Sequence, residues 1–355
     1  MRGVAAHGLA MGYEWGPMEP DASPPPADGR RERALRILFR AACVLLGAWC
    51  TGALRFGIGG TAGAVVAALF AAGFAAAWWS TGGIARRRVA LAFLWTGGAV
   101  LGAWAFVLPS ADRPWAFDVA RLARAEFDGD RVTLRGFRRA RWETPERAVL
   151  TFSDETLDLG DLVSVDFMVE PFSSFEGAAH TLLTFGFRDG RRVAISAELR
   201  KERGEHFDPL AACFRRYELC YVVGDEQDLI HLRTNVRKDR VYLYPVRATP
   251  EQRGRLFTGM LRRANDLRTT PEFYNTLTNT CTTSIVRHVE ELAPGTVPLS
   301  WRVLLPGYAD ELAYDLGLLD TDLPFAEAKR RFRVDEIARG GGNGPDFSVR
   351  IRAGR

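Results

Sequence analysis

The chain is organised around the segment Phe273-Tyr274-Asn275-Thr276-Leu277-Thr278-Asn279-Thr280-Cys281-Thr282-Thr283-Ser284-Ile285-Val286. Apolar residues recur at helical spacing from Ile285 to Leu292, and Pro294 ends the pattern. Asn279 and Thr280 stand where an N-cap is expected, so Cys281 falls in the first turn of a short helix. The helix dipole there favours the nucleophilic thiolate, and unpaired N–H groups can hold an oxyanion. The segment therefore predicts a catalytic thiol, with a buried, capped cysteine as the alternative.

A second segment, about a hundred residues upstream, predicts a hairpin of His180–Phe187 and Val193–Arg200. Apolar residues alternate along both strands. Pairing the two apolar faces puts His180 on the same face as Ser196, Glu198 and Arg200. A three-residue loop at Asp189-Gly190-Arg191 fits this parity. Glu198 then lies opposite or diagonal to His180, within reach of its imidazole.

These residues predict a triad in which Cys281 attacks a carbonyl, His180 protonates the leaving group and Glu198 fixes the imidazole tautomer. The order His–acid–Cys differs from the Cys–His–acid order of papain-like and NlpC/P60-like enzymes. A circular permutation would preserve the geometry, since triads are defined by roles and not by sequence position. Ser196 shares the face of Glu198 and is the alternative orienting group.

Other histidines remain alternatives for the base. His206 follows a Gly-Glu turn, His231 falls in an expected strand at Leu229–Leu232, and His288 lies two helical turns beyond Cys281, too far for a direct hydrogen bond. No metal-site spacing such as HExxH occurs, so neither a metal nor a cofactor is expected. The acidic run Asp225–Asp228 is interpreted as a salt-bridged loop.

The remaining soluble part predicts an α+β domain with an antiparallel sheet packed on helices. Strand patterns occur at Arg131–Phe137, Ala148–Phe152, Leu162–Val169 and Cys220–Val223. Thr249 caps a helix that begins with Pro250, runs to about Leu267 and carries one apolar stripe. A glycine-rich link then leads to an amphipathic tail, Phe347–Ile351.

The N-terminal third predicts a membrane anchor. Residues 1–33 are rich in Gly, Pro and Arg and are expected to form a disordered cytoplasmic tail. Residues 34–108 are expected to contain three transmembrane helices, at about 35–55, 60–81 and 89–108. The first is the weakest, because Arg40 and Arg55 must reach the headgroups.

Charge decides the expected topology. Arginines cluster at positions 30–36 and at Arg86–Arg88, and both clusters should stay cytoplasmic. Three crossings satisfy this and place residues 109–355 outside the cytoplasm. Two crossings, with a cytoplasmic domain, are the alternative.

Composition excludes several classes of function. Lys and Arg number 47 against 43 Asp and Glu, so no strong basic field indicates nucleic acid as a partner. The 5 cysteines include no CxxC pair, so neither a disulfide framework nor a zinc site is indicated.

Several motifs also carry a family resemblance: Val193–Glu205, Arg216–Tyr221, Gly224–Asp228, Leu232–Asn235, Val241–Tyr244, Tyr274–Thr283 and Leu305–Asp310. Together they resemble the Lnb N-terminal periplasmic domain, over about residues 109–355. That family is similar to permuted NlpC/P60 thiol enzymes, and its namesakes are linked to N-acylation of bacterial lipoproteins. The resemblance implies a catalytic pair at Cys281 and His180.

The expected function is therefore a cysteine-dependent acyltransferase anchored in the bacterial inner membrane, with its domain in the periplasm and membrane lipids or lipoproteins as partners. One alternative is a thiol amidase or peptidase acting on cell-envelope peptides. A non-catalytic envelope-binding domain is the other.

Overall fold

The computed structural model describes residues 29–79, 84–342 and 344–353. Contacts divide the chain into two compact units, Met1–Trp49 and Cys50–Arg355. The described part of the first unit is helical throughout. Most of the tail that was expected to be disordered, residues 1–28, lies outside the described residues.

Helices form where the three membrane spans were expected: α1 (Gly29–Ile58), α2 (Gly60–Trp79) and α3 (Ile84–Ala105). Among the described residues, one stretch is long and apolar enough to cross a bilayer, Arg33–Ile58 in α1. The apolar stretches of the other two, Gly60–Ala76 and Leu91–Ala105, fall short of the about 20 residues that a crossing needs. The first of the three segments, the weakest by its sequence, is thus the best candidate for a membrane span, because α1 continues through Arg40 and Arg55. The expectation of three spans is not confirmed.

The soluble part is a mixed α+β domain, as expected. Its strands are β1 (Arg124–Asp128), β2 (Arg131–Thr144), β3 (Arg147–Asp158), β4 (Leu162–Pro171), β5 (Ala179–Phe187), β6 (Arg192–Arg200), β7 (Glu218–Gly224) and β8 (Tyr242–Pro245). In the described residues they form one sheet of order β1-β2-β7-β6-β5-β4-β8, with β3 paired to β2. The pairings are antiparallel except between β2 and β7, where Arg138 pairs with Gly224 in parallel.

Further helices follow β6: α4 (Pro209–Ala212), α5 (Glu226–His231), α6 (Pro250–Thr269), α7 (Cys281–Leu292), α8 (Trp301–Leu304), α9 (Ala309–Asp315), α10 (Phe325–Arg331), α11 (Asp335–Gly340) and α12 (Phe347–Arg350). Short 3-10 turns lie at Leu159–Asp161 and Pro306–Tyr308, and a π-helical turn at Leu232–Val236.

The main core lies between one face of the sheet and α6 and α7. The rings of Phe185 and Phe257 meet edge to face there, 5.0 Å apart. The predicted apolar stripe of α6 forms the helical side of this core. Its N-terminus carries a capping box, since Thr249 and Gln252 bond reciprocally to each other's backbone N–H.

One expected strand is wrong. The segment Leu229–Leu232 was expected to be a strand, but Leu229 and His231 belong to α5. The side chain of Asp225 accepts a hydrogen bond from the N–H of Asp228 and starts this helix. Leu229 and Ile230 are buried in a second core on the opposite face of the sheet. A short apolar run fits a buried helix as well as a strand, and here the cap decides.

Candidate active site

The start of α7 presents the cysteine. Thr280 is the N-cap, and its hydroxyl accepts a hydrogen bond from the N–H of Thr283, whose hydroxyl accepts in return from the N–H of Thr280. Cys281 is therefore the first helical residue, as predicted, and its side chain is buried. In the part of the chain that the structure describes, this box leaves the N–H groups of Cys281 and Thr282 without a partner. Two such donors beside the thiol suit a developing oxyanion.

The hairpin places the histidine. In the β5–β6 register Gly186 pairs with Arg192 and Leu183 with Ile195, and continuing it sets His180 opposite Glu198. The loop comprises residues 188–190, one position earlier than expected, closed by a bond from the N–H of Phe187 to the carbonyl of Arg191. Despite this shift, His180 still shares a face of the hairpin with Ser196 and Glu198, as predicted. The shift also selects the directly opposite position for Glu198 over the diagonal one.

The imidazole contacts both candidate orienting groups. His180 Nε2 lies 2.7 Å from Ser196 Oγ and 3.2 Å from Glu198 Oε1, and Ser196 Oγ donates to the same Glu198 oxygen over 2.7 Å. Ser196 and Glu198 are therefore not alternatives as the orienting group, because the Glu198 carboxylate accepts a hydrogen bond from the Ser196 hydroxyl and both groups face Nε2 of His180. This leaves Nδ1 as the ring nitrogen available to the thiol.

Two further buried charges that the sequence interpretation missed hold the carboxylate. Arg233 donates from Nη2 to Glu198 Oε1 over 2.9 Å and from Nε to Glu170 Oε2 over 2.6 Å. Glu170 pairs with His180 in the β4–β5 register and is fully buried. The signal available in the sequence was Glu170 itself, an ionisable residue on a strand face that turns toward the interior of the domain. Glu170 thus fixes Arg233, which in turn fixes Glu198.

Electrostatics favour an ion pair at the thiol. Burial by itself raises the pKa of Cys281, but the neighbouring His180 imidazolium and hydrogen bonds from Thr181 outweigh it and lower the pKa to about 7. Burial would lower the pKa of His180, but Glu198 and Cys281 raise it to about 10. Burial likewise opposes ionisation of Glu198, yet His180 and then Arg233 hold its pKa well below the usual value. Thiolate and imidazolium therefore coexist at neutral pH.

Alkylation should report this ion pair. Because the thiolate is the reactive form, we expect the rate at which iodoacetamide modifies Cys281 to rise as pH increases through about 7 and then to level off. In His180→Ala the cation is gone while burial remains, so the midpoint should move above that of an ordinary thiol, about 8.5. Peptide mass spectrometry of the native protein measures both.

Two other cysteines provide internal controls. Cys213 is half-buried and reports reagent quality, whereas Cys220 should stay unmodified because burial raises its pKa. An unchanged midpoint in His180→Ala would contradict the ion pair.

A cavity of about 210 Å³ opens onto the pair. His180, Glu198, Cys281 and Tyr274 line it, together with the apolar rings of Phe172 and Phe207. Burial, followed by the negative charges of Cys281 and Glu198, raises the pKa of Tyr274 well above its usual value. Its phenol therefore stays neutral and can donate a hydrogen bond beside Cys281. Beyond the position of Tyr274 shortly before α7, no pattern in the sequence pointed to this role.

The other histidines lie elsewhere. His288 is buried against Tyr221, whose hydroxyl lies 3.1 Å from its Nε2, and Glu291 meets its other nitrogen. His231 packs edge to face on Phe347, and His206 is exposed.

The acidic run is not a loop, because most of it lies in α5. Its charges pair with Arg138, Arg139 and Arg352 and not with the neighbouring Arg233 and Arg237. No cluster among the described residues has the makings of a metal site.

Comparison with known proteins gives one match. Neither the curated proteins nor the solved structures yield a significant match to the chain. Residues 149–307 match the model of a family described as the Lnb N-terminal periplasmic domain. The matched region runs from β3 to the turn after α8 and contains His180, Glu198 and Cys281. The likeness to NlpC/P60 enzymes stays a prediction. Residues 149–307 of this chain are therefore similar to the Lnb N-terminal periplasmic domain family.

Proposed function

We propose that this protein is a membrane-anchored, extracytoplasmic cysteine acyltransferase that transfers an acyl chain from a membrane lipid, through a thioester on Cys281, to an amine such as a lipoprotein N-terminus. The observation that carries the proposal is the convergence of Cys281, His180 and Glu198 on one cavity. The family match and the candidate span in α1 support an extracytoplasmic location and an association with the membrane.

The first half-reaction forms the acyl-enzyme. The Cys281 thiolate attacks the ester carbonyl, and the N–H groups of Cys281 and Thr282 receive the oxyanion. As the C–S bond forms and the ester C–O bond breaks, His180 gives its proton to the departing alkoxide. The products are a lysolipid and a thioester, and Glu198 holds the now neutral imidazole in place.

The second half-reaction reverses the proton movement. A neutral amine attacks the thioester carbonyl, and His180 takes the proton from nitrogen as the C–N bond forms. The C–S bond then breaks and restores the thiolate–imidazolium pair. An amide is more stable than a thioester, so transfer to an amine is favourable.

The connection of the domain to the helices supports a lipid donor. Arg215 donates from Nη1 to the carbonyl oxygens of Trp104, 2.7 Å away, and Val107, 3.0 Å away. Phe214 stacks on Phe56 of α1 and meets Trp104 of α3 edge to face. Such contacts attach the domain to the helix ends and support a position of the cavity near the bilayer. An amidase that cleaves soluble peptides would not need this attachment.

The acyl-enzyme is the most direct test. The full-length protein, incubated with acyl-labelled phospholipid in nanodiscs and quenched in acid, should carry label on Cys281 that hydroxylamine removes. Cys281→Ala should carry none, and Cys213→Ala, which keeps the reactive thiol, should match the unaltered protein. If no thioester forms while a muropeptide amide is cleaved, the protein is an amidase. If neither occurs, the domain is a binding module.

Reporter fusions test the topology. With the arginine cluster at 30–36 cytoplasmic, one or three crossings both export the C-terminus, and two crossings do not. A reporter that needs export should therefore be active after residue 355. A second fusion after Gly83, which lies outside the described residues, separates the odd cases, because three crossings leave that site cytoplasmic and one crossing exports it. An inactive C-terminal fusion would contradict an extracytoplasmic domain.

A further inference from the structure

Large apolar side chains stand exposed on and beside the three loops that carry Phe172, Phe207 and Tyr274, which line the catalytic cavity. We call this set the lip; its members are Phe172, Phe175, Phe207, Leu210 and Leu277. Leu210 is 65% exposed, Phe175 57% and Leu277 56%. Phe172 and Phe207 also line the cavity itself. A contiguous apolar patch of this kind on a folded domain marks a surface that meets a partner or a membrane.

The lip is one surface, because its three loops contact one another. The rings of Phe172, between β4 and β5, and Phe207, before α4, meet edge to face with centroids 6.4 Å apart. Thr276, next to Leu277, donates its hydroxyl to the carbonyl of Pro209 over 2.7 Å, which joins the loop before α7 to α4. Two of these loops lead directly into His180 at the start of β5 and Cys281 at the start of α7.

The same surface continues onto the membrane anchor. Leu210 lies in the single turn α4, four residues before Phe214. Phe214 packs on Phe56 with ring centroids 5.5 Å apart, and Phe56 lies in the last turn of the candidate span. Four residues of chain span at most about 14 Å, so Leu210 lies close to the end of that span. An apolar side chain so placed adjoins the boundary between acyl chains and headgroups.

We propose that the lip inserts into the outer surface of the bilayer that holds α1, so that a lipid ester enters the cavity between Phe172 and Phe207 without crossing water. This rests on the proposed acyltransferase function and specifies how its lipid substrate reaches Cys281. A bilayer is favoured over a protein partner because the lip is continuous with the end of the span.

Photo-crosslinking tests insertion without relying on catalysis. Phe175, Leu210 and Leu277 are replaced one at a time by p-benzoylphenylalanine in the full-length Cys281→Ala protein, in nanodiscs of phosphatidylethanolamine and phosphatidylglycerol. The matched control is Val349, which is 73% exposed on α12, a helix that packs on α5. We expect lipid adducts at the lip positions, at about 10-fold or more the yield at Val349. Equal yields at all four positions would overturn the proposal, as would capture in cells of one protein in place of lipid.

A second variant separates insertion from chemistry. In the triple variant Phe175→Ser, Leu210→Ser, Leu277→Ser, acylation of Cys281 from bilayer phospholipid should slow by about 10-fold or more, while its acylation by a water-soluble short-chain ester stays unchanged. If lipid adducts form at the lip positions but the unaltered protein forms no thioester, insertion of the lip stands and the acyltransferase function is wrong. If the triple variant forms the thioester from bilayer phospholipid at the normal rate, the acyltransferase function stands and insertion of the lip is wrong.

Discussion

Cys281→Ala and His180→Ala are each expected to lower transfer of the acyl chain from lipid to an amine by about 10⁴-fold or more. Each removes one half of the thiolate–imidazolium pair, and neither half reacts without the other. For the same reason the double variant should be no slower than either single variant. The rate at which labelled lipid acylates an amine acceptor measures activity, and the thermal midpoint measures folding.

The cavity offers matched controls for this pair. Cys213→Ala removes a thiol outside the cavity and should leave the rate unchanged. Glu198→Gln keeps the shape of the carboxylate and loses its charge, which should slow acylation by about 10²-fold to 10⁴-fold and lower the pKa of His180. Retained activity in Cys281→Ala or Cys281→Ser would rule out the assignment of the nucleophile.

The second large effect concerns stability and lies at the other end of the chain. Arg352 donates from Nη1 to Glu226 Oε2 over 2.8 Å and from Nη2 to Asp166 Oδ2 over 2.7 Å. Both carboxylates are buried. Arg192 lies 3.7 Å from Asp166 and does not replace the lost contact to Glu226. Arg352→Ala should therefore lower the free energy of unfolding by about 3–5 kcal/mol, since it leaves a buried charge uncompensated.

Urea unfolding of the full-length protein in detergent, followed by tryptophan fluorescence, measures this loss. Arg350→Ala breaks the pair with Asp346, which is exposed, and should cost about 1 kcal/mol or less. Adding Glu226→Gln to Arg352→Ala should restore part of the stability, because it removes the unpaired charge. Equal losses in Arg350→Ala and Arg352→Ala would contradict the role of the buried pair.

Acid should abolish the same contribution. Burial would raise the pKa of Glu226, but Arg352 and Thr184 lower it to about 2 in the folded protein. A lowered pKa stabilises the fold above the unfolded value, about 4.3, and the gain is lost as pH falls from there toward 2. The difference in stability between the unaltered protein and Arg352→Ala should therefore shrink over that range.

Local rules within the sequence determined much of the site. The N-cap at Thr280 and the first-turn position of Cys281 depend on hydrogen bonds within one turn. The alternation along β5 and β6 determined the shared face of His180, Ser196 and Glu198, because strand side chains have a period of two. Each prediction needed only neighbours in the chain or in one hairpin.

Tertiary structure alone decided the rest. The packing of α7 on β5 and β6 brings Cys281 to His180 across about a hundred residues, and no periodicity encodes that distance. The ion pairs of Arg233 with Glu198 and Glu170 depend on the pairing of β4 with β5, which the sequence does not specify. The tail at Phe347 showed its amphipathic pattern in the sequence, whereas the buried partners of Arg352 lie on β4 and α5. A long side chain can reach many carboxylates, and the packed elements decide which of them it meets.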